Sequence, residues 1–310
     1  MKVVLHYDAG PGLKSHLAFP GLDIAFCPEP DDDAFMHEMR DAEVLWHALK
    51  PCTAEVIAGA PKLRLIQKIG IGVNTIDLDA ARARGIAVCN LPGSNAPAVA
   101  EMALLLMLAT LRRLPMFDAR LRAGHWATPP LIQDSLGELH GRTVGLIGYG
   151  AIPQHLAPIL TAMGCKVLYT ARSPKPGALA TYADRDTLLA RSDIVSLHIP
   201  LTPETDRCID AAAIARMKPG AILVNTARGG LVDQAALTAA LAAGHLAAAG
   251  LDVFVHEPAD PADPLFALDN VVVAPHVAWV TTGTFDRSFA TAAENCRRLA
   301  AGEPLLNRVA

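Results

Sequence analysis

Three residues far apart in the chain form a chemically complete set: Arg228, Glu257 and His276. A free imidazole has a reference pKa of ~6.5, so a histidine can give or take a proton near neutrality. A carboxylate paired to that imidazole favours its charged form. An arginine offers a planar fork that holds a carboxylate by two parallel hydrogen bonds and polarises an adjacent carbonyl. Together they suit hydride transfer to a 2-keto acid, with His276 protonating the oxygen as hydride reaches carbon. Each alone has a plainer reading: a structural arginine, an exposed loop acid, a histidine satisfied by backbone. Their shared placement favours the joint one.

That placement is set by the elements before them. Short apolar runs at residues 144–147, 167–169, 194–198, 221–225, 248–252 and 271–274 alternate with helix-length segments, which predicts a doubly wound parallel sheet. Ligands of such sheets meet the carboxyl ends of the strands. The fourth run leads into Thr226-Ala227-Arg228, the fifth into Asp252 and then Glu257, and the sixth into Pro275-His276.

The first of these runs enters a glycine turn, Gly148-Tyr149-Gly150, followed by a helix starting Ala151-Ile152 and a second strand. Gly148 permits the reversal, and Gly150 lacks a Cβ that would hold a pyrophosphate off the backbone. The free N–H groups opening the helix attract phosphate. A Gly-x-Gly pair alone would be a loop; the βαβ context makes it a dinucleotide site. Pro153 stands where the fingerprint has its third glycine, and Pro158 is expected to kink the helix or delay its start.

Residues 1–98 read as a smaller α/β unit, with strands at 3–7, 44–46, 65–69 and 86–89 and helices at 32–40 and 78–84. A Pro, Gly and Asn cluster at residues 91–97 marks a boundary. A long helix over 99–114 and a less regular stretch to 141 follow, and a closing helix over 284–300 crosses back. The expected organisation is α/β in two domains, each a parallel sheet with flanking helices. A flavodoxin-like substrate-binding domain takes 1–98 plus 277–310, and a larger Rossmann-type dinucleotide-binding domain takes 99–276.

Composition bounds the partners. The 310 residues are 52% hydrophobic and 19% charged with a net charge of −4, and no Lys or Arg cluster offers a footprint for nucleic acid. Six scattered cysteines without C-x-x-C spacing imply reduced, buried thiols and no metal site. The N-terminus opens on a strand-like run without a signal-peptide core, and the apolar run 102–111 is too short to span a bilayer. A cytoplasmic protein with no membrane partner is expected.

Lys68-Ile69-Gly70-Ile71-Gly72-Val73-Asn74-Thr75-Ile76-Asp77, Leu197-His198-Ile199-Pro200-Leu201-Thr202, Met217-Lys218-Pro219-Gly220, Asn225 to Gly230 and Asp252-Val253-Phe254 to Pro258 carry a resemblance covering residues 44–279. The chain resembles the D-2-hydroxyacid dehydrogenase family, which includes glyoxylate and hydroxypyruvate reductases. The resemblance implies that Arg228, Glu257 and His276 are the substrate-binding arginine, the supporting acid and the proton donor. It also implies that Asp252 holds the nicotinamide carboxamide and that backbone amides at Gly72 and Val73 receive the substrate carboxylate. His198, Pro200, Thr226 and Ala227 are expected as further cofactor contacts. Glu257 stands where formate dehydrogenases carry glutamine, which argues against formate.

An NAD site places an acid about 20 residues beyond the fingerprint. Here the sequence reads Thr170-Ala171-Arg172-Ser173-Pro174-Lys175, so Arg172 and Ser173 favour the 2′-phosphate of NADP(H), with NAD(H) as the other possibility. Trp46, His47, Leu49 and Trp279 are pocket-lining candidates, with core packing as the equal alternative. Glyoxylate, hydroxypyruvate and phenylpyruvate-like acids stay open as substrates. A homodimer is expected from the resemblance and the apolar helix at 99–114. The rival function is a catalytically silent, dinucleotide-sensing interaction protein of the corepressor kind.

Overall fold

Continuous apolar runs such as Leu65-Ile66 and Val144 to Ile147 suit strands buried on both faces, which parallel sheets require. The computed structural model describes residues 1–310, the side chain of Leu131 excepted, and every pairing between its strands is parallel. The chain divides into two units, Met1–Asn95 with Val280–Ala310, and Ala96–Trp279.

The first unit holds β1 (Lys2–His6), β2 (Asp23–Cys27), β3 (Val44–His47), β4 (Leu65–Lys68) and β5 (Ala87–Cys89), in the order β2-β1-β3-β4-β5. This is the flavodoxin-like order, in which chain direction across the sheet reverses between β1 and β3. Strand β2 and the helices Pro11–His16 and Ala54–Ala58 were not anticipated by the sequence pattern. The edge strand is only half-buried and has one neighbour, so its apolar signal is weaker than that of the central strands. The closing helix Thr282–Ala301 starts at the Thr281 cap and ends at Gly302, whose φ of 70° suits a glycine stop. Buried Asn295 fastens it to the sheet, donating to Gln67 Oε1 at 2.7 Å and bonding the backbone of Leu306 in both directions.

The second unit holds β6 (Thr143–Ile147), β7 (Lys166–Thr170), β8 (Thr181–Tyr182), β9 (Ile194–Leu197), β10 (Ala221–Asn225), β11 (Leu246–Leu251) and β12 (Val271–Val273). Their order is β12-β11-β10-β9-β6-β7-β8, the doubly wound arrangement with its switch point between β6 and β9. All six expected strands are present, and the two-residue β8 is additional. One face carries the helices Ala96–Arg112 and Ala151–Ala162 over Val144, Leu146, Ile194 and Val224. The other carries Arg185–Arg191, Ala211–Arg216 and Gln234–Ala242 over Ile147, Val195, Leu223 and Leu251.

Two local expectations are corrected. The helix Ala151–Ala162 starts directly at Ala151 and continues through Pro158, so no delay occurs. Pro153 lies in its first turn, where no intrahelical donor is needed, and Pro158 removes only the bond to residue 154. The long helix ends at Arg112 instead of running to 114. Arg113 takes a left-handed conformation (φ 48°), and a second helix, Leu114–Arg122, begins with Pro115 in its first turn. The stretch expected to be irregular thus holds two helices, the other being Pro130–Gln133.

Candidate active site

In the second unit the sheet brings the three reactive side chains to one edge. His276 Nδ1 lies 2.7 Å from Glu257 Oε2, and Glu257 Oε1 accepts a 3.0 Å hydrogen bond from the Phe254 amide. Burial works against the ionised Glu257. Its bonds to His276 and to the Phe254 amide, with the charge of Arg228, outweigh burial and hold the carboxyl below its ordinary range. Arg228 feels Glu257 in return, yet burial pulls its guanidinium below the usual value. The pair is still reachable, with His276 and Glu257 side chains 22% and 36% exposed. The structure thus gathers what the sequence placed on three separate segments.

Each side chain is held by backbone geometry. His276 has a φ of 56°, which a non-glycine residue rarely adopts. Buried Asp252 sustains it: its carbonyl accepts from the His276 amide at 2.8 Å, and its two carboxylate oxygens accept from Val277 and Ala278 amides at 2.9 Å each. Burial raises the Asp252 carboxyl, and those two amides pull it back. The contacts shown for Asp252 therefore anchor the histidine loop, and the carboxamide role implied by resemblance would use the lone pairs left over. Asn225 braces the arginine turn by accepting from the Ala227 amide (3.0 Å) and donating to the Arg228 carbonyl (2.8 Å).

Gly229 was missed by sequence reasoning. A Cβ there would lie 1.9 Å from the Phe254 carbonyl carbon and 2.4 Å from the Val255 amide. Its bare backbone lets the Arg228 turn press against the segment that carries Glu257. The signal was the Gly229-Gly230 pair directly after Arg228, read only as part of a motif.

The glycine turn fits a dinucleotide. Gly148 has a φ of 101°, and a Cβ on it would come within 2.4 Å of the His198 carbonyl. A Cβ on Gly150 would meet nothing within 4 Å, so space is open beside the turn. Gly150 caps the helix without a side-chain bond, leaving the Ala151 and Ile152 amides available. At the ends of β9 and β10, His198 Nδ1 and Thr226 Oγ1 are buried without partners, as donors and acceptors awaiting a ligand would be. His198 Nε2 pairs with Ser196 Oγ at 2.9 Å, and burial drives its pKa down to about 3, so the ring is neutral. Pro200 is exposed just beyond it, and Arg172 and Ser173 are exposed beyond β7, with Ala171 half-buried between strand and loop.

The Tyr149 side chain has partners of its own. Its ring is buried on Tyr169, centroids 4.2 Å apart, and its hydroxyl accepts from the Leu179 amide. It shapes the loop after β7, and only its backbone belongs to the turn.

In the first unit, the amides of Gly72, Val73 and Asn74 have no protein acceptor among the described residues. The carbonyls around them are taken: Gly70 by the Leu91 amide, Ile71 by Asn90 Nδ2, Val73 by the Ile76 amide and Thr75 by the Cys52 amide. A loop with inward carbonyls and free amides is suited to an anion. Trp46 is not a pocket residue. It is wholly buried in the central strand β3, packed on Phe19 and Phe289. His47 is likewise inside, its Nε2 donating to the Lys50 carbonyl at 2.7 Å. Trp279, the last residue of the second unit, is also buried.

Among the described residues no cluster of three or more His, Cys, Asp or Glu could hold a metal, and no helix is long and apolar enough to cross a membrane. All six cysteines are free, five of them buried.

Comparison with known proteins follows the same lines. Residues 104–278 match the family model described as D-isomer specific 2-hydroxyacid dehydrogenase, NAD binding domain. The chain is 42% identical over 287 residues to D-3-phosphoglycerate dehydrogenase of Mycobacterium tuberculosis, covering 91% of this chain and 54% of that protein. It thus spans about half the length of that relative. It is 44% identical over 253 residues to hydroxypyruvate reductase of Thermotoga maritima, covering 80% and 81% of the two chains. A crystal structure of a Thermus thermophilus protein superposes with a TM-score of 0.91 at 38% identity, covering all of both chains.

Proposed function

The chain belongs to the D-isomer specific 2-hydroxyacid dehydrogenase family, and from that premise we propose a reductase of small 2-keto acids, glyoxylate or hydroxypyruvate, that prefers NADP(H). The observation that carries it is the 2.7 Å contact of His276 with Glu257, beside an Arg228 close enough to feel that carboxylate.

A bound nicotinamide dinucleotide supplies or accepts the hydride. The residues that would hold it are the Gly148–Gly150 turn, the Ala151 and Ile152 amides, His198 and Thr226. His276 delivers a proton from Nε2 to the carbonyl oxygen, and Glu257 at Nδ1 fixes the ring and offsets the charge on imidazolium. Arg228 holds the carboxylate of the keto acid and polarises its carbonyl. The free amides of Gly72 and Val73 in the first unit are suited to a carboxylate. The oxidation of a hydroxy acid runs the same proton path backwards.

The absence of an acid after β7, with Arg172 and Ser173 exposed there, supports NADP(H). Five buried thiols suit a reducing compartment. A homodimer is supported by exposed Leu105, Leu114, Leu121 and Trp126, the last 87% exposed, all within one stretch of the second unit. Sedimentation should give twice the chain mass.

The test is kcat/KM with NADPH and NADH against glyoxylate, hydroxypyruvate, phenylpyruvate and 3-phosphohydroxypyruvate. The expected result is saturable turnover of one of the first two with NADPH favoured. A clear preference for NADH overturns the cofactor assignment. Turnover confined to the phosphorylated acid overturns the substrate. Cofactor binding without turnover on any acid favours the dinucleotide-sensing reading.

A further inference from the structure

Lys68 is the last residue of β4, is buried, and leads directly into the loop of free amides. A Cβ on Gly70 would lie 3.5 Å from Lys68 Cε, so the side chain runs under the start of that loop. Its ammonium donates to the Ala48 carbonyl, to His47 Nδ1 at 3.3 Å and to Thr75 Oγ1 at 3.5 Å. The His47 tautomer follows from its other contact: Nε2 must carry the proton given to the Lys50 carbonyl, which leaves Nδ1 as acceptor. Two of these acceptors lie at the end of β3 and just after it, and the third at the far end of the 69–77 loop.

A buried ammonium is unfavourable unless its donors are met, and a methionine or leucine would fill the same space without that cost. What the cation adds is a strut and a charge. The strut joins His47 and Ala48 to Thr75. The charge sits against both ends of the loop that carries the Gly72, Val73 and Asn74 amides, at Gly70 and at Thr75, where it adds to the pull of the backbone dipoles on an anion.

We propose that Lys68 is a positioning residue that clamps the Gly70–Thr75 loop and raises its affinity for a substrate carboxylate without touching the substrate. This rests on the reading of that loop as the carboxylate site.

The experiment compares wild type with Lys68→Met, Lys68→Arg and Thr75→Val. Steady-state kinetics are read alongside hydrogen–deuterium exchange of the cofactor-free protein across residues 69–77. In Lys68→Met the KM for the keto acid should rise about tenfold, the scale of one charge acting at a short distance. The kcat and the KM for NADPH should stay within about twofold of wild type, and exchange in the loop should quicken. Lys68→Arg should recover most of the KM, which a loss of packing alone would not predict. If Lys68→Met does not fold, Thr75→Val carries the test, with faster loop exchange and a smaller rise in KM expected. Unchanged KM and unchanged exchange in a folded variant overturn the proposal while leaving the reductase standing. A wild type that reduces no keto acid sinks the carboxylate half together with the reductase, and the exchange data then decide the clamp alone.

Discussion

In the first unit β1, β3 and β4 end in His6, His47 and Lys68, all buried, while in the second unit β10, β11 and β12 lead into Arg228, Glu257 and His276, which stay within reach of solvent. Both sheets are parallel, and both reverse direction at an inner pair of strands. One edge turns its ionisable side chains inward and leaves bare amides outside. The other presents the side chains themselves. An anion needs only positive dipoles for recognition, which backbone supplies, whereas proton transfer needs a titrating group. Under the proposed function, the difference between the edges is a division between holding and reacting.

The largest expected effect on the reacting edge comes from Arg228. Replacing Arg228 by Ala should lower kcat/KM for a keto acid about a thousandfold, since a bidentate charged contact is lost at the reacting centre. Lysine should restore little of it, because its ammonium lacks the planar fork. A fall of under about tenfold would remove Arg228 from the site.

Next is Gly229→Ala, which tests whether backbone contact keeps the arginine turn on the Glu257 segment. The new Cβ cannot coexist with the Phe254 backbone. We expect about a hundredfold loss in kcat/KM from displacement of the two groups, with a loss of about 1–3 kcal/mol in stability. Wild-type kinetics in this variant would show that the close approach has no catalytic purpose.

A pH experiment probes the inward-facing edge. Burial, the largest cause in each case, lowers His6 to about 4, His47 to about 3 and, in the second unit, His198 to about 3. The unfolded chain takes up these protons near pH ~6.5 and the native chain does not until far lower, so the unfolded state binds more protons between. Stability is then fully present above pH ~6.5 and falls on acidification toward 4. Glu29 and Asp252, whose carboxyls burial raises, act in the opposite sense. The urea midpoint should drop from pH 7 to pH 5, and His47→Gln should shallow that slope. An equal slope in the variant would show that His47 is not buried neutral.

The smallest effect expected is on cofactor choice. Arg172→Ala should cut the NADPH-to-NADH ratio of kcat/KM by about tenfold, the loss of one charged contact to a phosphate. No change in the ratio would place the discrimination elsewhere.

The sequence carried the reacting edge better than the holding one. Arg228, Glu257 and His276 follow strands whose apolar runs are continuous, so the topology alone delivers them to one side. Trp46 and His47 follow the same rule and yet are buried, because β3 is a central strand buried along its whole length, with Trp46 packed on Phe19 and Phe289. Alternation along a strand cannot tell a core tryptophan from a pocket one when both faces are buried. Tyr149 is a related case: its place in the glycine turn is a property of its backbone, while its ring packs on Tyr169. The role of Gly229 depends on a contact with a segment some 25 residues later, which no local pattern records.

The most direct measurement of the central claim is the rate of NADPH oxidation by glyoxylate and hydroxypyruvate in wild type and in His276→Ala, with NADPH affinity measured separately in both. The account predicts saturable turnover that falls at least ~100-fold in the variant, as loss of a general acid should cause, while NADPH binds nearly as before. A variant that turns over at the wild-type rate, or a wild type that binds NADPH and reduces no keto acid, would contradict it.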